Sequence, residues 1–228
     1  MSGYERLKRH AVSRLCHFTK LQSLTHILAT ADGIIASGSI RQDTKNVNDT
    51  ARYDGELNHV CCTIEYPNSW FLNSAIKNNA DEIFRDWVVL CIDLEVLLVR
   101  SAKFCECNAS KAYGQFIQND LENIDQIFAD RVSSFPYLRT AKMLPCCPTN
   151  GQAEILIKDN IPRRYISKII VGNVDIAKRV YAMQNIFDIS EIPIYIAPDV
   201  LSPSWSAMIK QGVRPQEQPC LWTEEVES

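Results

Sequence analysis

The chain has 228 residues, 46% of them hydrophobic, and a net charge of −3, which suits one compact domain with a sizeable core. The charge balance gives no support to a generic polyanion-binding surface, although a local basic patch remains open. No apolar run approaches the roughly 20 residues that span a bilayer. The polar, basic start over residues 1–14 lacks the apolar core and cleavage site of a secretory signal, so a cytoplasmic location without a membrane partner is expected.

Nine cysteines is a high and odd number. Cys61–Cys62 and Cys146–Cys147 are adjacent pairs, no Cys-x-x-Cys pair occurs, and Cys105-x-Cys107 has no histidine nearby in sequence. That spacing argues against zinc and for buried, reduced thiols acting as small apolar residues.

Taken in order, residues 4–14 are predicted as a basic helix and 15–19 as a short strand. Thr19 is placed as the N-cap of a helix over 20–30, whose stripe is Leu21, Leu24, Ile27 and Leu28 and whose end is Asp32–Gly33. His17 then sits where a strand meets a helix N-terminus, a position able to face an anion. A lone histidine is more often structural than catalytic, so both readings stand. Residues 36–58 are polar and too long for a featureless connection. They carry Arg41, Lys45 and Arg52, and are either a solvated loop or one that covers a cofactor and brings an arginine to phosphate.

A strand is predicted over 59–66, a helix over 70–84, and an apolar strand buried on both faces over 87–94. Residues 104–108 close another strand, 109–119 suggest a helix, and 120–143 are mixed and polar, suited to a docking or target-binding loop. Next comes the strand predicted over 151–157. Alternation puts Gln152 and Glu154 on one face and Ala153, Ile155 and Ile157 on the other, toward a core. A Gln-x-Glu pair is either the wet face of an edge strand or a catalytic pair in a cleft. A turn at 161–162, a strand over 166–171, a helix over 174–185 and a strand over 192–196 follow. Residues 215–228 form a Pro/Glu-rich tail expected to be poorly ordered. The chain has neither familiar glycine-rich phosphate loop, which argues against kinases, P-loop enzymes and Rossmann oxidoreductases.

Four stretches within about residues 13–175 resemble, in order, the motifs of the DarT family of nucleic-acid ADP-ribosyltransferase toxins. Leu15–Cys16–His17–Phe18–Thr19–Lys20–Leu21–Gln22–Ser23–Leu24 with Ile27–Leu28 is similar to the opening Y-H-I-T-H-I-x-N-L-x-x-I-L. The arginine-bearing loop and strand ending near Pro67 are a second match. Phe104–Cys105–Glu106–Cys107–Asn108–Ala109, with the stretch from Asp120 to Ile127, resembles F-T-D-x-H-A … L-x-x-L-D-x-I-D-W. Gln152–Ala153–Glu154–Ile155–Leu156–Ile157 with Pro162 resembles Q-A-E-x-L-V … P. The chain departs from the pattern at Ser23, where the family has asparagine, and at Asn108, where it has histidine.

The resemblance implies an α+β fold with an ADP-ribosyltransferase-like split mixed β-sheet core and flanking helices, in a single domain over residues 1–214 followed by the tail 215–228. NAD is the implied co-substrate, without a metal. Glu154 is the implied catalytic group, with Arg52 beside it. His17, Thr19, Ser23 and Arg41 are the implied cofactor-binding residues, and Arg41 is the alternate to Arg52 at the reaction centre. Gln152, Asn108, Arg139 and Lys142 are the implied substrate-binding residues. Arg41, Lys45, Arg52, Arg139, Lys142, Arg163 and Arg164 are read as a narrow basic track. The target is an unpaired base of single-stranded DNA or RNA, in a toxin–antitoxin or anti-phage setting with an antitoxin partner. Two other readings remain: a protein-modifying ADP-ribosyltransferase, and a non-catalytic NAD or nucleic-acid binding module.

Overall fold

A computed structural model of the chain describes residues 1–40, 53–78, 86–187 and 192–221. Helix α1 (Gly3–Arg9) opens it with a capping box in which Ser2 and Glu5 satisfy each other's backbone amides. Strand β1 (Leu15–Lys20), helix α2 (Leu21–Ala29) and the short strand β2 (Ile34–Ile35) follow. Gly33, at φ +67°, makes the turn between α2 and β2. A Cβ there would lie 2.3 Å from the Ile161 carbonyl oxygen, so the close approach demands glycine.

Strand β3 (His59–Ile64), helix α3 (Ser69–Asn78), β4 (Trp87–Ile92), β5 (Ala102–Cys105) and β6 (Ile117–Gln118) come next. The second half adds β7 (Glu154–Lys158), β8 (Asn160–Ile161), β9 (Ile166–Val171), helix α4 (Val174–Ile186), β10 (Ile194–Ile196), helix α5 (Ser204–Lys210) and β11 (Gln218–Pro219). Asn173 caps α4 by accepting from the Ile176 amide at 2.9 Å.

Nine strands form one sheet in the order β11-β10-β9-β4-β1-β3-β7-β5-β6, and β2 pairs with β8 apart from it. Every neighbouring pair is antiparallel except β9 and β10, which α4 connects. Strand β4 is buried at every position, as an all-apolar central strand should be. The main core gathers Leu24 and Leu28 of α2, Ala177 and Val180 of α4, and Ile155 and Ile157 of β7. Leu156 points the other way, into a smaller cluster with Cys105, Cys107 and Ala109.

The sheet forks between β1 and β3. Strand β1 pairs with β4 along all six residues. Against β3 it pairs only at Leu15–Ile64 and Cys16–Thr63. From His17 onward the two strands part. The apex of the fork is tied by Glu65, which is buried and left-handed at φ 64°. Its carboxylate accepts from the Ser13 amide and hydroxyl at 2.8 and 2.9 Å and from Arg214 at 3.2 Å. Its carbonyl accepts from Arg14 Nε at 2.9 Å. Buried Arg14 reaches on to Glu217 through two further bonds, and Lys168 joins at 3.1 Å.

Several predicted elements shift. Thr19 is not an N-cap. The β1–β4 ladder runs on to Lys20, which occupies the cap position and does not cap the helix with its side chain. The strand predicted over 151–157 begins at Glu154, because Asn150 takes the Gln152 amide on its side chain and the Ala153 amide on its carbonyl. The helix predicted over 109–119 does not form. The Ala109 amide is spent on Glu154 and the Ser110 amide on Asn108 Oδ1, while Ala112 and Tyr113 are left-handed. Residues 218–219 of the expected loose tail pair as β11. All nine cysteines are free, and seven of them are buried. Among the described residues, no helix is long and apolar enough to cross a membrane.

Candidate active site

The fork opens into a cavity of about 540 Å³, within the range of small-ligand sites. Cys16 to Thr19 of β1 line one lip and His59 to Thr63 line the other. Ser23 and Ile27 of α2, Gly33 to Ala36, and Asn68 and Phe71 at the start of α3 close the sides. Asn108, Ser110 and Glu154 stand at its β7 end.

Glu154 is the first residue of β7, paired with Thr63 on one side and Cys105 on the other. Only 7% of it is exposed. Burial of a carboxylate is costly unless donors meet it, and here two do. Asn108 Nδ2 donates to one oxygen at 3.1 Å and the Ala109 amide to the other at 2.9 Å. Asn108 is itself held, because its Oδ1 accepts from Ser110 at 3.0 Å. The asparagine thus grips the glutamate, a different job from the substrate contact expected of it.

The thiols beside Glu154 stay neutral. Burial, and then the charge of Glu154, push Cys62 up. The hydrogen bond shared with Cys107, and then burial, push Cys105 up.

His17 spans the fork. Its Nδ1 lies 2.9 Å from the Cys61 carbonyl oxygen, which can only accept. The hydrogen therefore sits on Nδ1, and this bond holds the ring across the opening. Phe18 and Phe71 pack at 5.7 Å between centroids and form part of an aromatic wall.

Ser23 and Asn68 line this cavity, and behind its surface each carries a buried polar atom with no partner among the described residues, Ser23 Oγ and Asn68 Nδ2. The Asn68 amide cannot turn round to cure this, since its Oδ1 caps α3 by accepting from the Phe71 amide at 3.2 Å. A flip would set donor against donor. Unmet buried donors cost about 1–3 kcal/mol each, so the cavity suits a ligand rich in acceptors. A dinucleotide, with its carboxamide, ribose and phosphate oxygens, fits that donor set.

His17, Thr19, Ser23, Asn108 and Glu154 are thus brought to one cavity. Gln152, Arg139 and Lys142 do not line it. Arg139 donates to the Cys147 and Leu144 carbonyls, each at 2.7 Å, and so pins the loop before β7. Lys142 is exposed. Arg163 bonds the Leu28 carbonyl. Arg41, Lys45 and Arg52 lie outside the described residues. Sequence reasoning missed Asn68 and the Ala109 amide. The signal for the first was an asparagine at a helix start, after Pro67; a backbone donor leaves no signal in sequence.

A forked, largely antiparallel sheet with a histidine across the opening and a gripped glutamate at its inner end defines an NAD-dependent ADP-ribosyltransferase. The family model described as "ssDNA thymidine ADP-ribosyltransferase, DarT" matches residues 16–202, and the chain belongs to the DarT family. Solved structures share the fold. Thermus sp. 2.9 DarT in complex with ADP-ribosylated ssDNA matches with a TM-score of 0.60 at 16% identity, covering 83% of this chain and 96% of that one. The same protein in complex with NAD+ gives a TM-score of 0.58 at 16% identity, with 82% and 96% covered. Thermosipho africanus DarTG in complex with ADP-ribose gives 0.56 at 16% identity, with 83% of this chain and 51% of that one covered. No curated protein sequence matches.

Proposed function

We propose that this chain transfers ADP-ribose from NAD to a thymidine base of single-stranded DNA, with Glu154 at the reaction centre. The observation that carries the reading is Glu154, buried at the inner end of the forked cavity and gripped by two donors. NAD supplies an ADP-ribosyl group whose ribose carbon turns cation-like as nicotinamide departs. Glu154 meets that charge with a carboxylate already oriented, so no reorganisation is needed as charge develops. As a carboxylate it also accepts the proton that the attacking base nitrogen must lose.

His17 fixes the lip over which the nicotinamide ribose lies, and Thr19, Ser23 and Asn68 line the cavity beside it. Arg52, with Arg41 as the alternate, is assigned to the dinucleotide phosphates or the reaction centre by the resemblance of its loop. Lys142 remains available to a DNA phosphate. Arg139 is less so, with its guanidinium engaged by carbonyls. The base must be unpaired to reach a recessed glutamate, which favours single strands. DNA rather than RNA follows from the family description. The Thermosipho africanus DarTG match supports a toxin role with an antitoxin partner.

The test is a mass measurement. A thymidine-containing single-stranded oligonucleotide incubated with the protein and NAD should gain one ADP-ribosyl mass and release nicotinamide. An unmodified oligonucleotide alongside labelled lysate protein would instead favour the protein-modifying reading. No NAD turnover at all would make the chain a binding module.

A further inference from the structure

We propose that Tyr53 and Tyr113 form a stacking clamp for nucleobases flanking the target on single-stranded DNA; this rests on the substrate reading above. The two rings meet edge to face, with centroids 5.9 Å apart and planes at 86°. Tyr53 is 59% exposed and Tyr113 79%. Rings this large and this open do little for the core, and their pairing still leaves ring face available to a flat partner.

The backbone beneath Tyr113 is built for display. Ala112 and Tyr113 are consecutive left-handed residues, at φ 50° and 55°, a strained arrangement for side-chain-bearing residues. Gly114 follows at φ 82°, and a Cβ there would lie 2.9 Å from the Asp54 carbonyl oxygen. The turn therefore rests directly on the segment that carries Tyr53. Both tyrosines are anchored to the cavity. Asp54, next to Tyr53, and Ser110, three residues before Tyr113, both line it. The turn also continues straight from Asn108 and Ala109, which grip Glu154. One short segment joins the reacting carboxylate to the clamp.

The occupant follows from chemistry. Exposed aromatic faces beside a cavity that receives an unpaired base suit the unstacked bases on either side of it, which lose their own stacking when the target turns inward. Every base offers such a face, so the clamp sets affinity and register rather than base identity. A duplex hides its base faces and is excluded.

The test uses the full chain, with oligonucleotide affinity from fluorescence anisotropy, modification rate at saturating NAD, and NAD affinity measured separately. Tyr113→Ala should weaken oligonucleotide binding roughly 5- to 150-fold, the range for losing one stacked base, with NAD affinity unchanged. Tyr53→Ala should act in the same direction, and Tyr113→Trp should retain wild-type binding. An oligonucleotide with abasic sites flanking the target should weaken wild type by about the factor that the double variant Tyr53→Ala/Tyr113→Ala shows, and should weaken that double variant little further. If Tyr113→Ala binds and modifies the oligonucleotide like wild type, or if the abasic and alanine losses simply multiply, the clamp is wrong and the substrate reading stands. If wild type binds the oligonucleotide with this Tyr113 dependence but never modifies it, the substrate reading falls and the clamp stands.

Discussion

Replacing Glu154 by glutamine separates charge from shape. The side chain keeps its size, and among the described residues two donors, the Ala109 amide at 2.9 Å and Asn108 Nδ2 at 3.1 Å, converge on a residue 7% exposed. Glutamine has one oxygen to give. The backbone amide cannot move, so the oxygen goes there and the new NH2 faces the NH2 of Asn108. Asn108 cannot rotate to relieve this without losing the bond from the Ser110 amide at 3.0 Å. One opposed donor pair costs about 1–3 kcal/mol of stability, which an ordinary domain tolerates. The catalytic loss is separate and larger. Removing one preorganised electrostatic group slows the chemical step by about 100- to 1,000-fold, or roughly 2.7–4 kcal/mol of barrier. Glu154→Gln should therefore remain folded, bind NAD within about tenfold of wild type, and lose two to three orders of magnitude in single-turnover oligonucleotide modification. Asn108→Ala keeps the charge but loses one grip. It should fall between the two, at about 10- to 100-fold. A folded glutamine variant with a wild-type rate, or one whose rate loss is matched by an equal loss of NAD affinity, would refute a role confined to the transition state.

Three further outcomes follow from the geometry. His17→Ala should reduce the stabilisation that saturating NAD confers in a thermal melt, by about 1.4 kcal/mol for each tenfold of affinity lost; a purely structural histidine would lower the melting temperature and leave the NAD increment intact. Asn68→Ala removes the unmet donor together with the α3 cap, so the apo melt should show a loss of about 0.5–2 kcal/mol while calorimetry shows NAD affinity down roughly 2- to 10-fold; unchanged affinity would discharge Asn68 from the site. Glu217 is pushed up by burial, but bonds from Arg14, its charge, and then Lys168 outweigh that and hold the carboxyl below its ordinary value of 4.5. Its stabilising share is therefore complete above pH 4.5 and disappears as pH falls through the lowered folded value. Glu217→Gln should lose about 1.5–3 kcal/mol at pH 7, and the gap to wild type should close on acidification; a gap constant with pH would show that the charge is irrelevant.

Much of the fold was legible because hydrophobic alternation is strong where strands are buried. The strand over 166–171 is found as predicted, and β7 turns Ile155 and Ile157 to the core as alternation requires. His17 and Glu154 stood out by their place in ordered motifs, and the fold brings both to one cavity. What failed did so where polar side chains compete for backbone amides. Asn150 and Asn108 each capture a nearby amide, and the results are a late-starting strand and a missing helix, which propensity does not register. Arg139 looked like a phosphate ligand because charge alone is visible in sequence. Its carbonyl partners, Leu144 and Cys147, become neighbours only after the loop closes.

The knot at the fork's apex has a consequence for the order in which the protein can become active. Ser13 and Arg14 emerge early in synthesis, whereas Glu217, the anion that meets Arg14, is added 203 residues later. Until then a guanidinium destined for a buried position has no counter-charge, a condition that strongly disfavours closing the structure around it. The two lips of the cavity are set apart by that same apex. A nascent chain still lacking residues 214–217 therefore holds the glutamate and the histidine on strands whose common root is unfinished. The root of the cavity is thus completed only when two segments some 200 residues apart in sequence have met.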